Sequence, residues 1–184
     1  MAFKDTILTF EDDKIVADEE YGNMEVMMSW EAPIMEKSAE YVCQSKGDIL
    51  ELGFGMGICA DYIQAQGVNS HTIVEIHPQI IEKLKIWASS KSNVTIVEGD
   101  WNSVTLSTYD GIFLDTFGDD TDSFKDFITA KAKNGAKVTY WNNYANQNNK
   151  FSFDTISFEE VDISPRVNMY TDLESKYYMP KVVI

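Results

Sequence analysis

Short apolar runs alternate with longer amphipathic ones along this chain. Ile49–Leu52, His71–Ile76, Val94–Val97, Gly111–Leu114 and Lys137–Trp141 are brief, largely apolar or β-branched, and bounded by turn residues. That is the pattern of strands buried on both faces. The stretches between them carry helical spacing: Pro33–Ser45, with Met35, Ala39, Val42 and Cys43 near one face, then Ile58–Gln66, Pro78–Ala88 and Phe124–Lys133. Pro33 and Pro78 suit first turns, while Gly47, Gly67 and the Asn134-Gly135 pair suit helix ends. The alternation predicts an α/β fold, a doubly wound, mostly parallel seven-stranded sheet. The tail differs. Ser152–Ile163 and Tyr177–Ile184 read as strands with no long helix between them, which predicts a C-terminal antiparallel hairpin at the sheet edge. At the other end, Ile7–Phe10 and Ile15–Ala17 flank Glu11-Asp12-Asp13, as a small hairpin or as an arm that orders over a site. Trp30 and Glu31 fall in a bend before the first helix, and 142–149 form a polar loop. With no repeat and no interdomain linker, residues 1–184 are expected to form a single domain, with 1–30 as an N-terminal arm or lid.

Composition narrows the partners. The 184 residues carry a formal net charge of −15, from 30 acidic and 15 basic side chains. Such a surface repels phosphate backbones and anionic lipid, so neither nucleic acid nor membrane is expected as partner. It suits a small cationic or neutral substrate. No run approaches the roughly 18 apolar residues of a membrane span. The start, Met1-Ala2-Phe3-Lys4-Asp5, lacks the basic region and apolar core of a secretory signal, which makes a cytoplasmic location the expectation. Cys43 and Cys59 lack metal-ligand spacing and read as free buried thiols. His71 and His77 form no metal cluster with any carboxylate at recognisable spacing, so no metal is expected.

The candidate chemistry lies where strands end. Asp48-Ile49-Leu50-Glu51-Leu52-Gly53-Phe54-Gly55-Met56-Gly57-Ile58 is a strand, a glycine-rich turn and a helix start. Such a turn lets the backbone approach a nucleotide-like cofactor. The spacing is G-x-G-x-G rather than the dinucleotide G-x-G-x-x-G, which disfavours a nicotinamide-dependent oxidoreductase. Glu75, 22 positions after Gly53, ends the next strand and is placed to accept both hydroxyls of a ribose. His77 follows it and is expected to flank the adenosine, whereas His71 is expected at the surface. Asp100-Trp101 ends the third strand, where an acid and an indole face the adenine, although Trp101 suits the core equally well. Asp115 follows four largely apolar residues, a costly place for a carboxylate unless it is paired or lines a cleft. Met24, Met27, Met28 and Met35 suit either the core or an apolar cofactor pocket.

With Glu51 two residues before its first glycine, the loop resembles motif I of class I S-adenosylmethionine-dependent methyltransferases. Together with Val26–Met35, Ile73–Pro78, Gly99–Trp101, Tyr109–Phe117, Val138–Asn142 and Lys176–Tyr178, the chain resembles guanidinoacetate N-methyltransferase and its relatives, among them fungal arginine N-methyltransferases. The resemblance implies a Rossmann-like methyltransferase using S-adenosyl-L-methionine. It makes Glu31 and Asp115 the carboxylates that grip a guanidinium, with Asp115 as base and Glu31 as orienting partner. It assigns Met35, Glu51, Gly53, Phe54, Gly55, Met56, Gly57 and Ile58 to the cofactor, along with Glu75, Ile76, His77, Asp100, Trp101 and Asp115. Met27, Asn143 and Tyr144 join Glu31 and Asp115 on the substrate side.

A guanidinium has no free lone pair and a pKa above about 12. Paired carboxylates orient it and favour proton loss from the attacking nitrogen. The expected activity is methyl transfer to a guanidino-type nitrogen of a small molecule, by a monomer or homodimer. The alternatives are a protein arginine or another amine as acceptor, or a cofactor-binding scaffold without catalysis. The chain departs from the family in a shorter amino-terminal region, in lacking a clear helix before the final hairpin, and at Asn143-Tyr144. Those parts select the rest of the substrate.

Overall fold

The computed structural model describes residues 2–117, 123–144, 146–163 and 175–184. Arg166, the single arginine of the sequence, lies outside them. The arm is a three-stranded antiparallel sheet of β1 (Leu8–Phe10), β2 (Lys14–Ala17) and β3 (Glu25–Met28). The hairpin expected around the acidic turn is therefore present, and a third strand extends it into the first helix, α1 (Ala32–Val42). Pro33 occupies the first turn of α1, where its missing N–H has no helical partner to lose.

Next come β4 (Asp48–Leu52), α2 (Ile58–Ala65), β5 (Ser70–Glu75), α3 (Pro78–Ala88), β6 (Val94–Glu98), β7 (Tyr109–Leu114), α4 (Phe124–Lys131) and β8 (Ala132–Tyr140). The final hairpin is β9 (Ile156–Asp162) and β10 (Lys176–Val183). The main sheet is ordered β6-β5-β4-β7-β8-β10-β9. Strands β4 to β8 run parallel, and β10 is antiparallel to both β8 and β9. The sequence expectation of a doubly wound sheet with a terminal antiparallel hairpin is met.

Successive residues of a strand point to opposite faces, and the core divides accordingly. Ile49 and Phe113 pack with α1 and α2, whereas Leu50, Leu52, Ile112 and Leu114 pack with α4. Glu51 shares the parity of Ile49, so it lies on the face that α1 and α2 cover. Both cysteines are free and buried on this face, and desolvation pushes the Cys43 thiol up to about 12. Among the described residues no helix is long and apolar enough to cross a membrane.

One element boundary differs from the reading of the sequence. Asn134-Gly135 does not end α4; the helix stops at Lys131 and β8 begins at once. The pairing of β7 with β8 then jumps from Tyr109↔Ala132 to Gly111↔Lys137. Gly135 takes a φ of +82° inside this bulge and donates its N–H to the Ile184 carbonyl at 2.6 Å. The turn signal is real, but it serves an excursion within the strand.

Candidate active site

The sheet reverses its order between β4 and β7, and ligands of doubly wound sheets bind at such a switch point, outside the carboxyl ends of the strands. A cavity of about 1150 Å³ opens there. Two glycines shape its floor. Gly53, at φ +90°, lies so close to β7 that a Cβ would collide with the Asp115 carbonyl oxygen. The Asp115 N–H in turn donates to the Leu52 carbonyl at 2.9 Å, fastening the ends of β4 and β7 together. Gly55, at φ +54°, makes room for the Met27 sulfur, which lies 3.0 Å from the Met56 backbone N. The arm thus packs onto the glycine loop, and Phe3, Tyr21, Met24 and Val26 line the same cavity.

Glu75 is held by three backbone N–H groups. Its oxygens accept the backbone N–H groups of Phe54 at 2.9 Å and of Ile76 and His77 at 2.8 Å each. Two of these bonds fall on Oε1 and one on Oε2, so the carboxylate is fixed at the cavity wall and Oε2 keeps a lone pair for a further donor. Glu51 also lines the cavity although its residue surface is 0% exposed. Its Oε2 lies 2.8 Å from His71 Nε2, while its buried Oε1 has no hydrogen-bond partner. Burial raises its pKa, and the His71 bond opposes that rise.

Met35, Gly53, Phe54, Gly55, Ile76, Asp100 and Trp101 also line the cavity, whereas Met56, Gly57, Ile58 and His77 do not. Gly57 instead takes a φ of +78° as the residue before α2. Trp101 is buried with its ring edge-on to Phe124 and Phe127, and Asp100 accepts the Asn102 N–H. Trp101 is therefore a core residue that also borders the cavity. His77 accepts the Gln79 N–H at Nδ1, so its Nε2–H donates to the Thr6 carbonyl at 3.1 Å. Burial lowers its pKa. It anchors the arm rather than lining the cavity, with Phe3 packed 5.0 Å from its ring centroid. His71, expected at the surface, is fully buried, because a strand inside a parallel sheet is covered on both faces.

Glu31 and Asp115 line the same cavity. Glu31 ends the 3-10 turn Ser29–Glu31, is buried, and accepts the Met28 N–H at 2.9 Å. Asp115 is partly accessible, and burial together with the Glu51 carboxylate pushes its pKa up to about 7. Trp30 and Trp141 stand edge to face at 6.4 Å between centroids, and Trp141 packs 5.2 Å from Tyr177. Tyr177 is buried beside both carboxylates, and desolvation first, then their charges, raise its hydroxyl pKa. Its hydroxyl accepts the Asn142 N–H at 2.8 Å, tying the loop after β8 to β10. Asn143 lines the cavity; Tyr144 is exposed, and its N–H already donates to Asn142 Oδ1. The sequence reading missed Trp30, Trp141 and Tyr177. Their signal was aromatic residues beside strand ends, and it acquires meaning only once β10 inserts next to β8.

Residues 12–165 match the profile of the guanidinoacetate N-methyltransferase family. The chain belongs to this family. Relatives include the protein arginine N-methyltransferase 2 of Aspergillus oryzae, 35% identical over 136 residues, which are 69% of this chain and 32% of that protein. The protein of the same name from Saccharomyces cerevisiae is 37% identical over 129 residues, 62% of this chain and 30% of that protein. The matched region thus spans about a third of these relatives' length. Among solved structures, spermidine synthase from Thermotoga maritima superposes with a TM-score of 0.65 at 10% identity, covering 96% of this chain and 72% of that one. The N-methyltransferase NodS from Bradyrhizobium japonicum gives 0.64 at 12% identity, covering 84% and 96%. At such identity they show the fold alone, a Rossmann-like class I methyltransferase sheet.

S-adenosylmethionine is the methyl donor of this class, and the cavity residues of the guanidinoacetate N-methyltransferase family member fit it. Glu75, oriented by three backbone N–H groups, offers Oε2 to a ribose hydroxyl. The unpartnered Glu51 Oε1 matches the ammonium of the methionine portion. Gly53 leaves the backbone bare where it meets β7.

Proposed function

We propose that this chain transfers a methyl group from S-adenosylmethionine to a guanidino-type nitrogen of a small molecule. The observation that carries this reading is that Glu31, Asp115, Trp30 and Trp141 line one cavity. Two carboxylates match the paired N–H edges of a guanidinium, and indole faces suit its flat, weakly hydrated cation. Bound S-adenosylmethionine supplies an electrophilic methyl group on a sulfonium. Glu75, Glu51, Asp100 and the loop at Gly53–Gly55 would hold it. Glu31 is fixed through the Met28 N–H and orients the acceptor. Asp115, with its raised pKa, takes the proton released by the attacking nitrogen. The tryptophans and the arm exclude water, and much of the acceleration comes from positioning. In this reading residues 1–184 act as one methyltransferase unit, with 1–30 covering the site.

A second reading has support of its own: the relatives named above are called protein arginine N-methyltransferases, and the acidic surface suits a basic peptide. Arm residues wall the cavity, which favours the smaller acceptor. Labelled S-adenosylmethionine offered with guanidinoacetate, free arginine, other small guanidines and arginine-rich peptides separates the two. Transfer to a small guanidine that is lost in Glu31→Gln supports the first reading. Transfer confined to peptides replaces it with the second, and binding of the donor without any transfer removes both.

A further inference from the structure

The face of the sheet under α2 carries a polar chain that ends on Glu51 and whose other two members, Gln64 and His71, none of the roles above uses. Gln64 on α2 places its amide nitrogen 3.2 Å from His71 Nδ1, and His71 Nε2 lies 2.8 Å from Glu51 Oε2. An amide N–H donated to Nδ1 makes that nitrogen the acceptor, so the ring's proton sits on Nε2 and points at Glu51. The imidazole is held from a further side by Trp87, edge-on at 6.2 Å, whose own Nε1–H is anchored on Asp61 at 2.7 Å. His71 and Glu51 are both 0% exposed. Among the described residues His71 is the group bonded to Glu51, and it engages one oxygen and leaves the other bare.

An ionised acid buried in this way needs a compensating donor and a fixed orientation, or it takes up a proton. Asp115, Glu75 and Asp61 add negative potential around it, which makes the donor more necessary. Glu51 belongs to the cavity wall, and its Oε1 is buried without a hydrogen-bond partner.

We propose that His71 is a positioning residue for the methyl donor: its Nε2–H, fixed by Gln64, holds the Glu51 carboxylate so that Oε1 receives the ammonium of the cofactor's methionine portion. This rests on the cofactor reading above. The role requires a donor at Nε2 rather than a histidine as such. Leucine at 71 fills similar space without a donor, and glutamine restores one near the same place.

The experiment measures, by calorimetry, the affinity of two probes for the wild type and its variants. S-adenosylhomocysteine carries the ammonium; 5′-methylthioadenosine lacks the amino-acid portion. His71→Leu is expected to weaken S-adenosylhomocysteine at least about tenfold, the loss of a charge-assisted bond, with 5′-methylthioadenosine changed less than about twofold. His71→Gln recovers most of the difference, and Glu51→Gln reproduces the selective loss. Equal weakening of both probes, or no weakening, overturns the proposal, because a merely structural histidine has no reason to distinguish them. Gln64→Leu, at the partly exposed outer end, gives an independent reading should His71→Leu not fold. A smaller, still selective loss supports the relay, and unchanged selectivity overturns it. A wild type that binds neither probe overturns the cofactor reading itself.

Discussion

Burial at the end of β7 favours the neutral form of Asp115, and the nearby Glu51 carboxylate pushes in the same direction. A carboxylate whose folded-state pKa lies above its unfolded value stabilises the fold fully below the unfolded value of 3.8. That contribution is lost as pH rises through about 7. Asp115→Asn should therefore melt higher than the wild type at about pH 8 and show no such gain at about pH 3. Calorimetry of the ligand-free protein at both values checks it, and equal melting at the upper pH removes the burial argument. Methyl transfer by the wild type should rise across the same window as the base ionises, with the pH limb belonging to the interacting Asp115–Glu51 pair. In Asp115→Asn that limb should vanish along with most of the turnover. Glu75 is held differently, by three backbone N–H groups that its carboxylate accepts. Glu75→Ala should destabilise the protein by about 2–4 kcal/mol and weaken S-adenosylhomocysteine at least about tenfold. Denaturant melts and calorimetry read the two effects separately, and unchanged affinity removes the ribose assignment. Both acids were legible in the sequence because each closes a largely apolar strand, where an unpaired charge is expensive. His71 was not, because its partner Glu51 lies on a neighbouring strand and only the β4–β5 register brings the two together.

At the scale of elements, the arm is where local pattern and tertiary consequence diverge most. The β1–β2 hairpin could be read from two apolar runs around an acidic turn. That β3 would seat Met27 on the glycine loop could not, because the seat is made by the missing side chain of Gly55, over two dozen residues away. Phe3 packs against His77 and Phe117 with centroids at 5.0 and 4.9 Å and so bridges the arm to the ends of β5 and β7. Phe3→Ala should speed S-adenosylhomocysteine release about two- to tenfold, the worth of one or two aromatic contacts. Stopped-flow dissociation measures it, and an unchanged rate argues against the arm as a cover. The misplaced end of α4 has a similar origin. An Asn-Gly pair signals a turn equally well after a helix or within a bulged strand, and what decided between them was the carbonyl of Ile184, just past β10, receiving the Gly135 N–H.

For the whole molecule, the net charge of −15 and an acid-lined cavity should draw cations by long-range attraction. Raising ionic strength from about 0.02 to 0.5 M should lower kcat/KM for a cationic guanidine more than for zwitterionic guanidinoacetate, since screening weakens attraction in proportion to net ligand charge. Equal salt sensitivity would assign recognition to short-range contacts alone. The sequence by itself determined the class of fold, the glycine turn and the acids that end β5 and β7. Those follow from periodicity, from backbone conformations that favour glycine, and from the cost of burying a charge, all of them local properties. Tertiary structure alone decided that Trp30 and Trp141 share one cavity with Glu31 and Asp115, that Tyr177 pins the loop after β8, and that His71 grips Glu51. Each depends on strand order and register, and a reversal of order between β4 and β7 brings together residues that no spacing along the chain connects.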